Sequence, residues 1–300
     1  MRAAQFSRFG GPEVLEIVDL PDPRPGPGEI RVKVRAAGIN ASDWKKRRGL
    51  MDQELPQTLG YEAAGVVDEI GDGVRGVTVG DRVFGASPYG AAQAELAVLS
   101  YWASIPEALD YARAAAIPAA AETAARSLDQ LGLTPGSTLL VNGASGTIGS
   151  AVVQLAVQRG ARVIGTASPA THDILRLLGA EPVAYGDGMP ERVRALAPTG
   201  VDFALDVAGS GVLPELVQLA GGPEHVITLA DFPGAQQTGV RFSRGDTGRA
   251  TYALADVARM AETGRFSVTV GQTFALADVA QAHRVGEAGT VRGKLVLLVS

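Results

Sequence analysis

The sequence predicts an α/β protein in two parts, a β-rich first third and a parallel, doubly wound sheet behind it. Three observations predict this. Short strands alternating apolar and polar residues run through "MRAAQFS", "VLEIVDL", "EIRVKVRAAGIN", "AAGVVDEIG" and "DRVFG", punctuated by Gly and Pro as in "PDPRPGPGE". From 136 to about 230, apolar strands alternate with helices in the β-α-β-α order that builds a parallel sheet. At 300 residues, the chain also exceeds the size at which one hydrophobic core stops growing.

In chain order, the first strands suit a small barrel or sandwich. The texture changes near 107–135, where "PEALDYARAAAIPAAAETAARSLDQLGL" has helical spacing, opened by Pro106 and ended by Gly132 and Pro135. Then come a strand "STLLVNGA", a helix "IGSAVVQLAVQRG" closed by Gly160, and a strand "ARVIGTAS". The helix "THDILRLLGA", strand "PVAY", helix "PERVRALAP" and strands "VDFALDVAG" and "HVITLA" follow. The tail "GKLVLLV" is a strand with no helix after it, and it is expected to fold back onto the N-terminal β domain.

Composition narrows the function. Hydrophobic content of 46% and charged content of 20% describe an ordinary globular protein. A net charge of -5 argues against a nucleic-acid partner, and the lone basic run Lys45-Lys46-Arg47-Arg48 is expected as a solvated turn. There is no apolar run of membrane-spanning length, and "MRAAQFSRFGGPEVLEI" lacks the apolar region of a signal peptide, so a cytoplasmic protein without a membrane partner is expected. The absence of cysteine removes disulfides, thiolate nucleophiles, iron–sulfur sites and cysteine-based zinc sites together. His172, His225 and His283 show no metal-ligand spacing, so no metal is expected.

The sharpest motif is "LLVNGASGTIGSAVVQLA", which sets Gly143, Gly146 and Gly149 between a buried strand and an amphipathic helix. Glycines at such a turn let the backbone approach a pyrophosphate, and the helix N-terminus supplies unpaired N–H groups and positive dipole. Gly143, Ala144, Ser145, Gly146, Thr147 and Ile148 are therefore expected to hold a dinucleotide. An NAD site ends its second strand on Asp or Glu. Here "GTASPATH" gives Thr166, Ala167 and Ser168, with no carboxylate before Asp173, which favours NADPH (NADP+). Ser168 is a donor for the 2′-phosphate, His172 the nearest candidate cation, and Tyr185 a candidate neighbour of the adenosine.

The chain resembles the zinc-free quinone oxidoreductase-like branch of the medium-chain dehydrogenase/reductase superfamily. The matching residues span nearly the whole sequence: "AAGINASDWKKRRG", "LGYEAAGVVDEIGDGV" with "VGDRVFG", "IPEALDYARAAAIPAAAETAARSL", "LLVNGASGTIGSAVVQLA", "VDFALDVAG" and "RGKLVLLV". The resemblance implies a GroES-like β domain over 1–117 and 266–300, a Rossmann domain over 118–265, and a nicotinamide cleft between them. Zinc relatives carry a cysteine ligand where Asn40 stands in "GINASD" and a histidine ligand where Tyr61 stands in "LGYEAAG". The cysteine-rich lobe expected after "GDRVFG" is missing. Zinc-assisted alcohol oxidation therefore does not carry over. NADPH-dependent reduction of a conjugated carbonyl (a quinone, an enone or an enal) does.

A metal-free site must use hydroxyls, amides or water to stabilise the oxyanion that forms when hydride adds to an enone. The resemblance puts Asn40, Asp43 and Tyr61 at that site: Asn40 and Asp43 fixing cofactor and loop, Tyr61 donating to the substrate. Tyr89 is a second tyrosine candidate. Thr123, Ala208, Leu229 and Ala230, Phe242 and Lys294 fall on segments that line the cofactor in the family. Glu62 and Arg82 are expected as structural partners, and a homodimer is expected from the family. A short-chain dehydrogenase is rejected, because no Tyr lies four residues before Lys33, Lys45, Lys46 or Lys294. Two readings stay open beside the reductase: a natural-product tailoring reductase of the same fold, and an NADPH-binding sensor without turnover.

Overall fold

The structure, a computed structural model, describes residues 1–87, 90–245 and 248–300. Two compact units divide it: Met1–Ala119 with Thr251–Ser300, and Ala120–Ala250. Helix Ala253–Glu262 buries Leu254, Val257 and Ala261 and packs on strand Tyr101–Ser104 of the first unit.

The first unit is built on one long strand, Ile30–Ile39. Its first half alternates, with Ile30, Val32 and Val34 buried and Lys33 and Arg35 exposed, whereas Ala36 to Ile39 are buried on both faces. Glu62–Ile70 pairs antiparallel along one edge and continues to Arg82–Ala86 and Tyr101–Ser104. The other edge is shared, Leu96–Leu99 pairing with Ile30 to Lys33 and the tail strand Lys294–Leu298 with Ala36 to Ile39. The tail thus folds back onto the N-terminal β domain, as its lone-strand pattern predicts. A second sheet orders Glu16–Asp19, Arg2–Phe6 and Gln57–Thr58, and Phe6, Ile30, Leu59, Leu99 and Leu297 fill the core between.

The second unit is an all-parallel sheet in the order Ala180–Ala184, Arg162–Ala167, Thr138–Asn142, Phe203–Asp206, Val226–Thr228, Arg241–Phe242. Helix Leu213–Ala220 fills the connection between "VDFALDVAG" and "HVITLA", burying Leu213, Leu216 and Leu219. The 107–135 stretch forms two helices rather than one. Tyr111–Ala115 is capped by Asp110, and Pro118, which has no N–H to give, opens Pro118–Leu131.

The basic run corrects its expectation. It is no solvated turn: it closes helix Ala41–Arg47, with Lys46 and Arg47 buried. Asp43, Lys46 and Arg47 fall at i, i+3 and i+4 and share one face. The helix packs on helix Val279–Ala288, where Arg47 pairs with one oxygen of Glu287 and Arg48 with the other at 3.0 Å. Trp44 lies edge-on to His283, with ring centroids 6.3 Å apart. His283 is fully buried, and neither ring nitrogen has a hydrogen-bonding partner; Nε and Nη1 of Arg47 lack one too. Burial first, and the charge of Arg47 second, push the His283 pKa down to about 3.

That imidazole makes the fold acid-sensitive in a calculable sense. The folded chain refuses a proton that the unfolded chain takes, so the stability is present above about pH 6.5 and is lost as pH falls toward about 3. Between about pH 7 and about pH 4.5 the loss amounts to about 3 kcal/mol. Urea unfolding of His283→Leu should remove this acid-side slope. Parallel pH profiles for variant and wild type would show that His283 does not carry it.

Candidate active site

In the second unit the strand Thr138–Asn142 runs into the turn at Gly143 and out through helix Thr147–Gln158, with Gly146 as N-cap. Gly143 has a φ of +84°, and a side chain there would meet the Ala208 Cβ at 2.8 Å. A Cβ on Gly149 would sit 2.2 Å from the Gly143 carbonyl, so the helix touches the turn only because Gly149 lacks one. The first N–H groups of the helix, including those of Thr147 and Ile148, have no partner within it. Ala144 is buried beneath the turn, and Ser145 is exposed at its tip. The cradle fits a pyrophosphate.

A buried polar row floors this cradle. Thr166, Asn142, Asp206 and Thr228 are register partners on four adjacent strands. Thr166 Oγ1 donates to Asn142 Oδ1 at 2.7 Å, and Asn142 Nδ2 donates to Asp206 Oδ1 at 2.9 Å. Thr228 Oγ1 donates to Asp206 Oδ2 at 2.7 Å. The row also fixes the exit loops. Asp206 accepts from the N–H groups of Ala208 and Gly209, Thr228 Oγ1 from those of Ala230 and Asp231, and the Leu229 N–H reaches the Asp206 carbonyl. Asn142 and Asp206 escape a motif search, because the polar residue that ends each apolar strand is visible only one strand at a time.

At the end of Arg162–Ala167, Ser168 is half-buried with Oγ 3.5 Å from Thr171 Oγ1, and the His172 Nε2 lies 3.4 Å from the Ala167 carbonyl. Ser168 and His172 therefore sit together. The first carboxylate, Asp173, pairs with Arg176 at 2.6 Å. Tyr185 is 63% exposed at the end of the neighbouring strand. There Arg192, a cation the sequence pattern does not single out, donates to the carbonyls of Ala184, Tyr185 and Gly186. Thr123 is half-buried on the Pro118–Leu131 helix, and Phe242 packs edge-on against Phe232 at 5.3 Å.

The first unit holds a second polar cluster. Asn40 ends the long strand and caps helix Ala41–Arg47. Its Nδ2 donates to Glu62 Oε1 at 2.8 Å, and its Oδ1 accepts from the Lys294 ammonium. Lys294 also pairs with Glu62, the two being 4% and 0% exposed. Glu62 Oε2 accepts from the Ala119 N–H at 2.7 Å. Gly38 makes the room, since a Cβ there would lie 2.3 Å from Glu62 Oε1. Asp43 is fully buried, accepting from the N–H groups of Asn40 at 2.7 Å and Gly60 at 3.3 Å and from Gln93 Nε2 at 3.3 Å. Burial raises its pKa to about 6 against the pull of the Asn40 N–H and Lys294. Tyr61 is half-buried, its ring centroid 5.5 Å from the Lys46 ammonium. Arg82 holds the Leu109 carbonyl and covers the Tyr111 ring, a structural role as expected. Tyr89 lies outside the described residues.

Residues 26–105 match the alcohol dehydrogenase GroES-like domain, and residues 178–297 match the zinc-binding dehydrogenase domain. The quinone oxidoreductase of Coxiella burnetii superposes with a TM-score of 0.86 at 30% identity, covering 100% of this chain and 99% of that one. The chain belongs to the quinone oxidoreductase-like branch of the medium-chain dehydrogenase/reductase superfamily. Within it, a mycobacterial protein complexed with NADPH superposes with a TM-score of 0.83 at 29% identity, over 99% of this chain and 100% of that one. The 2-methylene-furan-3-one reductase of Solanum lycopersicum is 32% identical over 256 residues, 78% of this chain and 63% of that protein. The synaptic vesicle membrane protein VAT-1 homolog of Rattus norvegicus is 36% identical over 218 residues, 70% of this chain and 54% of that protein. The chain thus spans about half the length of several curated relatives it matches.

For a family whose model is named for zinc, the donor set at Asn40 and Tyr61 does not fit that ion. The carboxamide of Asn40 is committed at both polar atoms, and the Lys294 ammonium already neutralises Glu62. Among the described residues no three His, Cys, Asp or Glu side chains converge.

Removing one member of a buried pair strands the other charge, which typically costs about 3–5 kcal/mol. Lys294→Met should therefore destabilise the protein by that amount in urea unfolding, and adding Glu62→Gln should restore most of it. A loss below about 1 kcal/mol, or no recovery in the double variant, would contradict the pairing.

Proposed function

We propose that the protein is an NADPH-dependent, zinc-independent reductase that adds hydride to a conjugated carbonyl: a quinone, an enone or an enal. One observation carries the reading. The glycine cradle sits at the carboxyl edge of a parallel sheet whose next strand ends on Ser168, beside His172, with no unpaired carboxylate. An acidic residue there would repel a 2′-phosphate, whereas a hydroxyl and nearby cations accept it. Arg192, at the end of the following strand, supports the same choice. So do the NADPH named for the mycobacterial neighbour and the enone named for the tomato relative.

The reduced nicotinamide supplies the hydride when it is bound. The protein contributes position and charge. The N–H groups of Thr147 and Ile148 would hold the pyrophosphate, and the row from Thr166 to Thr228 holds the loops at Ala208, Leu229 and Ala230 against the sheet. Hydride addition at the β-carbon sends negative charge to the carbonyl oxygen, which needs a donor. Tyr61 takes that role through its phenol. Asn40 is a positioned amide whose second N–H is left for a ligand, since only one is given to Glu62. Asp43 holds the backbone of Asn40 and Gly60 and so fixes the loop that carries both. Thr123, Phe242 and Lys294 complete the cofactor surroundings in this reading. The family likeness further supports a homodimer, and a cytoplasmic location belongs to the same reading; among the described residues no helix is long and apolar enough to cross a membrane.

Two measurements test the reading. Fluorescence titration should give a dissociation constant for NADPH at least about tenfold below that for NADH, the effect of about 1.4 kcal/mol from the 2′-phosphate; equal constants would contradict it. Tyr61→Phe should lower kcat on an enone about 100-fold or more while leaving the NADPH dissociation constant within about twofold. Wild-type turnover in the variant would remove Tyr61 from the site.

A further inference from the structure

The Arg241–Phe242 strand, at the far edge of the parallel sheet, carries a feature the reading above does not use. Phe242 is the register partner of Thr228, so it extends the polar row by one strand. Three strand spacings separate it from Asn142, about 14 Å. In a sheet of this order, the strands on the Ala180–Ala184 side of the glycine turn lie beneath the adenosine half of a dinucleotide, and those on the Phe242 side beneath the reacting half.

Ser243, next to Phe242, and Ala250 are both held by one buried ion pair. Arg126 and Glu122 pair at 2.8 Å, 4% and 5% exposed. Arg126 donates to Ser243 Oγ, and the Ala250 N–H donates to Glu122 at 3.3 Å. The Ser243 N–H is held by the Thr228 carbonyl at 3.0 Å. Between these anchors, Arg244 lays its guanidinium over two aromatic rings, 4.9 Å from the Phe232 centroid and 5.7 Å from that of Phe242. The rings are themselves edge-to-face at 5.3 Å, so the cation rests on a fixed surface. Arg249 reaches the residue that follows Arg244, its Nη1 3.3 Å from where a Gly245 Cβ would stand. Both arginines are exposed, and among the described residues neither pairs with a carboxylate.

We infer that Arg244, backed by Phe232 and Phe242 and reinforced by Arg249, binds an anionic group, a carboxylate or phosphate, carried by the substrate beyond its conjugated carbonyl. The inference rests on the proposed reductase reading. A guanidinium held on aromatic faces keeps N–H groups for a planar or tetrahedral anion and loses less freedom on binding it than a free side chain does. Substrates in this account are conjugated carbonyl compounds with an acidic tail, and neutral ones enter with lower affinity.

The test compares 6-oxohept-4-enoate with its methyl ester under NADPH. Wild type should prefer the anion. Arg244→Ala should raise KM for the anion about thirtyfold, the loss expected of one charge-assisted contact, while leaving the ester and the NADPH dissociation constant within about twofold. Arg244→Lys should fall between. Equal effects on anion and ester, or no wild-type preference, would overturn the subsite. Saturation-transfer NMR of the saturated 6-oxoheptanoate with NADP+ separates this from failure of the reductase reading. Binding to wild type but not to Arg244→Ala supports the subsite even without turnover; equal binding to both, or binding to neither, overturns it.

Discussion

The buried ion pair between Glu62 and Lys294 is the contact on which the first unit depends. Four segments remote in sequence meet at one carboxylate: the end of the long strand through Asn40, the start of the next strand at Glu62 itself, the start of Pro118–Leu131 through the Ala119 N–H, and the tail strand through Lys294. Taking both charges out of water is costly, and what balances the cost is complete hydrogen bonding around Glu62. The same pair ties down Asn40, whose Oδ1 accepts from the Lys294 ammonium and whose Nδ2 donates to Glu62.

The second unit solves the same problem with one carboxyl, Asp206, set in a row of amide and hydroxyl donors. Asn142 and Asp206 are buried, and each is satisfied by its sheet neighbours across the row. The row makes the carboxyl edge rigid where the exit loops begin, which is the condition for backbone N–H groups to serve as a preorganised phosphate site. The Glu122–Arg126 pair does for Ser243 and Ala250 what the row does for the glycine turn. Each unit thus fixes its ligand-facing loops from beneath, with buried polar groups whose partners come from other strands or helices.

Local patterns in the sequence carried a good part of this. The glycine turn, the strand–helix alternation and the return of the tail strand are set by residues within a few positions of one another or by burial periodicity, and the parallel sheet followed from them. The GroES-like architecture and the family came instead from the resemblance carried by motifs spread over nearly the whole chain. What escaped was made by partners far apart in sequence. The four polar residues of the sheet row lie on separate strands, so no spacing links Asn142 to Asp206 or Thr228. The Lys45–Arg48 run looks like a solvated turn by charge count, and only the fold supplies Glu287 and the Val279–Ala288 helix that bury Arg47. Pro118 was readable as a helix start, but in an alanine-rich stretch its breaking effect is masked by helical residues on both sides.

The proposed reaction is delivery of hydride to the β-carbon of a conjugated carbonyl. The most direct measurement is NMR of the product formed from an enone with NADPH deuterated at nicotinamide C4. One deuterium at the β-carbon, with the α-carbon proton drawn from solvent, is the predicted result. Deuterium on the carbonyl carbon, or a product without label, would contradict the account.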